Sequence, residues 1–293
     1  MIKVDFSNRR DCEEIFHRIS EHIAKGNYDA AFGVSAKKVG KKLLYIAFDK
    51  KEATFQYVLQ PMLSRVFAEY IIATFEPKWL HDMLTNHFYY EDKNEIHDII
   101  SLFYFIMEGK HAELPNVKTI PSREALIEDA VRSLLEDSFR KELSFSFDSF
   151  LKFRIKAYRE CIAAYLEMAI DEYKLEQDYQ SFIENLRSFL HRKKPMIDIL
   201  HIVYTNKPTF FDERFQLIDE EKIAKAISNT GYFLQQSVIE STLLQPLLTF
   251  APKEVHLYVD SDLTGLLYTL KNIFQERLII RRLKDVPDMR TPM

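Results

Sequence analysis

The apolar positions of this chain change period several times, and each change marks an element. IKVDF alternates apolar and polar residues, which predicts a short opening strand. Over 9–25 the period becomes helical, with Ile15, Ile19 and Ile23 on one face. YDAAFGVSAKKVGKKLLYIAFD then reads as two strands around a Lys/Gly-rich turn. From about 52 to 140 the pattern is helical, with Pro61 and Pro77 at helix starts or kinks, where a missing N–H costs little. An aromatic cluster, HFYYEDKNEI, leads into a helix through Ile96, Ile99, Ile100, Phe103 and Met107, stopped at Gly109. The segment 110–122 has two prolines and little periodicity, and is expected to be a linker.

The densest pattern lies between Ser149 and Tyr204. Leu151, Ile155, Tyr158, Ile162, Tyr165, Ala169 and Tyr173 recur at steps of three and four, predicting one helix capped by Asp148 or Ser149. The phase slips between Tyr173 and Leu175, where a turn or kink is expected. A second stripe then runs through Leu175, Tyr179, Phe182, Ile183, Leu186, Phe189 and Leu190 up to Pro195. IDILHIVY is apolar on both alternate faces, as in a strand covered on both sides.

Beyond it, Asn206-Lys207-Pro208 predicts a turn and RFQLID a paired strand. Asp219 is placed to cap a short helix ending near Gly231. A helix over about 232–249 is expected to be disturbed at Pro246. EVHLYVD, TGLLYTLKNIFQERL and LIIRR read as strand, helix and strand, followed by a frayed tail. The expected fold class is α+β, mainly helical: an N-terminal β-α-β-β unit, a helical middle and a smaller C-terminal α/β portion. The boundaries fall at 1–110, 111–195 and 196–293, and the C-terminal strands are candidates to join the N-terminal sheet.

Composition narrows the function class. Apolar residues are 47% of the 293 and charged residues 29%, which excludes a disordered chain. With 23 Phe and 15 Tyr the core is expected to be aromatic. The formal net charge of −4 supplies no global field toward nucleic acid or anionic lipid. Cys12 and Cys161 read as reduced thiols. No apolar run reaches the roughly 20 residues of a membrane span, and MIKVDFSNRR lacks the pattern of a signal peptide, so a cytoplasmic, soluble protein without membrane insertion is expected.

Catalytic signatures are scarce. The 6 Gly are too scattered for a phosphate-binding loop. The 9 His form no HExxH, His17 and His22 do not share a helix face, and no Cys pair has zinc-ligand spacing. No cofactor is expected. Asp260 and Asp262 follow a strand and precede a helix, where two carboxylates suit a divalent cation, although Ser261 or Asp262 as a helix cap explains the pattern with no unseen partner and is the preferred reading. Lys37, Lys38, Lys41 and Lys42 either contact phosphate or form a solvated hairpin tip. RLIIRRLK suits a charge-protected edge strand. The most unusual charges are Lys152, Arg154, Lys156 and Arg159, in the opening turns of the helix predicted from Leu151, with Glu167, Asp171 and Glu172 toward its far end. That order opposes the helix dipole. Either these cations pair with the acidic segment SREALIEDAVRSLLEDS (122–138), or they form a surface for a partner.

FLKFRIKAYRECIAAYLEMAIDEYKLEQDYQSFIENLRSFL, IDILHIVY and the FQLIDEE run, with LLQPLLTFAPKEVHLYV and LKNIFQERLIIRR, resemble the YtxC-like family of endospore-forming bacteria. The resemblance implies a link to sporulation and carries no catalytic residue. A cysteine-containing tail of some relatives has no counterpart in RRLKDVPDMRTPM. The expected function is a non-catalytic interaction or regulatory protein whose partner is another protein. The alternatives are a nucleic-acid-associated accessory protein, suggested by the cations of 152–159, 192–194 and 277–284, and an enzyme with its site near Asp260 and Asp262.

Overall fold

The computed structural model describes residues 1–49, 51–109, 123–136, 142–230, 238–260 and 264–287. The linker expected over 110–122, Gly231, Ser261, Asp262 and the end of the tail lie outside them. The α+β, mainly helical class holds. The chain divides into two compact units, Met1–Lys174 and Leu175–Met293, a division that does not coincide with the boundaries expected at 110 and 195.

In the first unit the opening strand, helix and hairpin form as expected, but YDAAF, expected within a strand, is helical. β1 (Ile2–Asp5), α1 (Arg9–Lys25), a short α2 (Tyr28–Phe32), β2 (Ser35–Val39) and β3 (Leu43–Ala47) follow in order. β3 pairs antiparallel with both β1 and β2, so it lies between them. β4 (Leu143–Ser146) adds parallel to the free side of β1, giving the order β2-β3-β1-β4. Ile15, Ile19 and Ile23 are buried under this sheet's core face together with Ile2, Val4, Leu44 and Ile46.

The helical middle comprises α3 (Glu52–Thr54), a π-helical turn (Phe55–Leu59), α4 (Gln60–Thr74), α5 (Glu76–Asp82), a second π-helical turn (Met83–His87), α6 (Lys93–Met107) and α7 (Arg123–Leu135). Pro61 and Pro77 occupy first turns of α4 and α5, as expected. Gly109 ends α6 with φ of +67°, a conformation open to glycine. The Asp92 side chain caps α6, accepting from the amides of Asn94 (2.7 Å) and Glu95 (3.1 Å). Asp92→Ala is expected to cost about 1 kcal/mol in chemical denaturation. The core is aromatic: the Phe147 ring lies 5.2 Å from Phe6, 5.7 Å from Phe67 and 6.0 Å from Phe75, between centroids.

After β4 come α8 (Phe147–Phe153) and α9 (Lys156–Arg192). The turn expected between Tyr173 and Leu175 does not form: α9 is one continuous helix of 37 residues, and the division between the units falls within it.

The second unit holds β5 (Ile199–Tyr204), β6 (Pro208–Phe211), α10 (Glu220–Thr230), α11 (Val238–Phe250, with Pro246 inside it), β7 (Glu254–Tyr258), α12 (Thr264–Phe274) and β8 (Leu278–Arg281). Its sheet has the order β6-β5-β7-β8, antiparallel at β5–β6 and parallel elsewhere. Among the described residues no ladder joins it to the first sheet. Each sheet instead closes on its own core, the second around Leu186, Leu200, Ile202, Leu247, Leu257 and Ile273. RFQLID is not a strand. The Asp212 side chain accepts from the amides of Arg214 and Gln216, turning the chain through Phe215 (φ +58°), and leaves one bridge, Phe211 to Leu217. β8 is an edge strand, as its charges suggested.

Candidate interaction surface

The unusual cations of the sequence flank a break in the chain. α8 is capped neither by Asp148 nor by Ser149. The Ser146 side chain accepts from the Ser149 amide, while the Asp148 carboxylate accepts from the Ser7 amide at 2.9 Å, tying α8 to the end of β1. The Arg154 amide closes α8 on the Phe150 carbonyl, and α9 opens after the buried Ile155. The single helix expected from Leu151 is therefore two. Lys152 sits in the last turn of α8, where the dipole favours a cation, and Arg154 lies between the helices. Only Lys156 and Arg159 remain in the opening turns of α9. Because α9 continues to Arg192, Glu167, Asp171 and Glu172 lie in its middle rather than at its end.

One turn into α9, Tyr158 points inward to a buried acid. Its hydroxyl donates to Glu76 Oε2, and Arg123 donates to Glu76 Oε1 at 2.6 Å. The Glu76 side chain is 1% exposed and that of Arg123 23%. Tyr104 lies near the same carboxylate and under the Arg123 guanidinium, 5.8 Å from centroid to Cζ. Burial pushes the Glu76 carboxyl above its ordinary range, against the hydroxyl of Tyr158, the charge of Arg123 and the hydroxyl of Tyr104. Burial and the neighbouring Glu76 charge push Tyr104 up to about 12 and hold Tyr158 protonated as well. Trp79 packs edge-on against Tyr158, and the Arg159 guanidinium lies over the Trp79 ring at 5.6 Å. The inward anchor thus fixes the outward register of Lys156 and Arg159.

All four cations are exposed. Lys156 meets Glu160 at 3.5 Å, within its own helix. Lys152, Arg154 and Arg159 form no ion pair among the described residues. The expected pairing with 122–138 does not occur over its described part: Glu128 and Asp129 pair with Arg132, and Glu124 with Arg123. Phe153, 68% exposed, stands among the cations, with the Lys152 amine 5.4 Å from its ring centroid. This arrangement can hold an anionic surface, and it brings together no nucleophile with a base.

The YtxC-like family model matches residues 61–279. The chain belongs to the YtxC-like family. Its match begins at the first turn of α4 and takes in Glu76, Arg123, the four cations and both halves of α9. The chain is also similar, at 29% identity over 293 residues, to the uncharacterized protein YtxC of Bacillus subtilis (strain 168), covering 100% of this chain and 98% of that relative. No solved structure matches. No helix among the described residues of this YtxC-like chain is long and apolar enough to cross a membrane.

The remaining candidates are dispersed. Asp260 is exposed and accepts from the Leu283 amide at 3.0 Å, which fastens the end of β7 to the segment after β8. Its expected companion, Asp262, lies outside the described residues. Cys12 and Cys161 are free and buried, and burial pushes both thiols up, away from the reactive thiolate. Lys193 donates to the Leu248 carbonyl at 3.0 Å, so one cation of 192–194 serves the fold. A cavity of about 830 Å³ opens in the second unit beside Tyr204, Phe210, Ile218 and Ile223, and Asp260 is not among its described lining residues.

Two clusters escaped the sequence. Glu76, Arg123 and Tyr158 converge from three separate helices, and no local spacing announces that. His201 and His256 are directly opposed on β5 and β7, rings 4.8 Å apart. The parallel strings LHIV and VHLY, each with His in second place, were a readable signal for that pair.

Proposed function

We propose that this YtxC-like chain is a non-catalytic interaction or regulatory protein of the cytoplasm, serving sporulation, and that Lys152, Arg154, Lys156 and Arg159 receive an acidic segment of a partner protein. The reading rests on one observation above the others: three of these cations have no ion-pair partner among the described residues, although the chain carries more acids than bases. An exposed phenylalanine and a guanidinium stacked on Trp79 add the aromatic and arginine character that interface centres favour. The association with sporulation rests on the family resemblance.

The test compares the full chain with Lys156→Glu/Arg159→Glu as bait in cells entering sporulation, with and without nuclease, by quantitative mass spectrometry. A direct protein partner is expected to survive nuclease and to fall by about ten-fold or more in the double variant at an unchanged melting temperature. Equal capture by the two baits rules out this surface. Capture that vanishes with nuclease replaces a protein partner by a nucleic acid.

A further inference from the structure

Among the described residues the first sheet is covered by core on one face only. Ile2, Val4, Leu44 and Ile46 are fully buried on that face, so their alternating neighbours Lys3, Tyr45 and Lys37 stand on the other. The ladder sets these three in a row. Lys3 is opposite Tyr45 across β1–β3, Tyr45 is opposite Lys37 across β3–β2, and Ser144 extends the row onto β4. Tyr45 is thus flanked by a lysine one strand away on each side, about 5 Å at the backbone. Met1, Ser35, Val39 and Ala47 complete a shallow hollow of about 350 Å³ against Tyr45 and Lys37. The turn after β2, through Gly40 at φ +65°, adds Lys41 and Lys42.

Among the described residues, Lys3, Lys37, Lys41 and Lys42 form no ion pair and Tyr45 no side-chain hydrogen bond. Lys38, on the opposite face of β2, is neutralised by Glu13 at 3.1 Å. One acid, Asp5, shares the open face, opposite Leu43. A solvated hairpin accounts for lysines at its tip. It does not account for an aromatic ring held between two lysines on the side away from the core.

We propose that this face binds single-stranded nucleic acid, with one base stacked on Tyr45 and the adjoining phosphates met by Lys3 and Lys37, the strand continuing toward Lys41 and Lys42. An unpaired strand is the polyanion that offers a free base face and phosphates together, whereas a duplex hides its bases in the stack. One aromatic platform and a net charge of −4 make this a weak, salt-sensitive site rather than a long-range attractor. The face shares no residue with the four cations around α8 and α9, and the proposal does not depend on that surface.

Fluorescence anisotropy of the full chain with a labelled oligothymidylate of about 15 nucleotides, against an abasic phosphodiester chain of equal length, tests it. The oligothymidylate is expected to bind about ten-fold more tightly than the abasic chain, and Tyr45→Ala to erase that advantage. Tyr45→Phe should keep the advantage, which guards against a folding defect in the alanine variant. Lys3→Gln/Lys37→Gln should weaken both probes and reduce the salt slope by about 1.4. Equal affinity for the two probes, unchanged binding by Tyr45→Ala with a native melting temperature, or no binding at about 50 mM salt overturns the proposal.

Discussion

Replacing Glu76 by alanine is expected to lower stability by about 3 kcal/mol, near the lower end for breaking a buried ion pair. The truncation strands two donors at once. Tyr158 loses the acceptor for a buried hydroxyl, and Arg123 keeps its charge with 23% of its side chain exposed. That partial exposure lets water reach the guanidinium and holds the cost toward the low end of the range. The partner substitution, Arg123→Ala, should behave differently with pH. It leaves a carboxyl whose pKa is already raised by burial and would rise further without the guanidinium. A carboxyl with a raised folded pKa favours the folded state most below its unfolded pKa and loses that contribution as pH rises through the folded value. The Arg123→Ala deficit should therefore shrink in mild acid, while the Glu76→Ala deficit persists. Urea denaturation of both variants across pH 5 to 8, a range of ordinary protein stability, reads the difference. Parallel deficits would mean that the buried carboxyl is not the group that matters.

Acid should destabilise the second unit through His201. Burial, then the neighbouring His256 and Arg281, depresses its pKa from 6.5 to about 4. The neutral ring shares a hydrogen bond with the Tyr258 hydroxyl through Nδ1, 3.3 Å away, and packs against Phe215 at 4.7 Å. With the folded value below the unfolded one, the contribution is complete above pH 6.5 and is lost as pH falls toward 4. The loss amounts to about 3 kcal/mol. His201→Phe, which keeps a ring beside Phe215, should flatten the stability profile over that window while costing some stability at neutral pH. An unchanged acid limb in this variant would assign the sensitivity elsewhere.

Much of the fold was legible because local chemistry governs it. Ile15, Ile19 and Ile23 announced the buried face of α1, Pro61 and Pro77 the starts of α4 and α5, and Gly109 the end of α6. The errors came from patterns with two physical meanings. The phase slip at Tyr173 suggests a turn or kink, yet it marks an unbroken helix that changes core: Ile162, Leu166 and Ile170 belong to the first, Ile183, Leu186 and Leu190 to the second. Leu175, at the slip, is 64% exposed and belongs to neither. The reverse error hid the gap after Phe153, because Leu151 and Ile155 keep a helical spacing across a non-helical residue. Four residues, LSFS, were too few to signal β4. For the candidate surface, the cations were visible in sequence. What lies beneath them was not, since the Tyr158–Glu76 bond joins residues 82 positions apart.

The placement of β4 also sets a timetable for synthesis. β1 lies inside the finished sheet, but the strand covering its second edge begins at Leu143, long after β3 ends at Ala47. At about 5–20 residues per second, the ribosome leaves that edge unpaired for about 5–20 s, while α3 to α7 emerge. During that interval the nascent N-terminal unit presents open backbone donors and acceptors to any extended chain nearby. Chaperone demand and off-pathway association should concentrate in this window and end when Ser146 clears the exit tunnel.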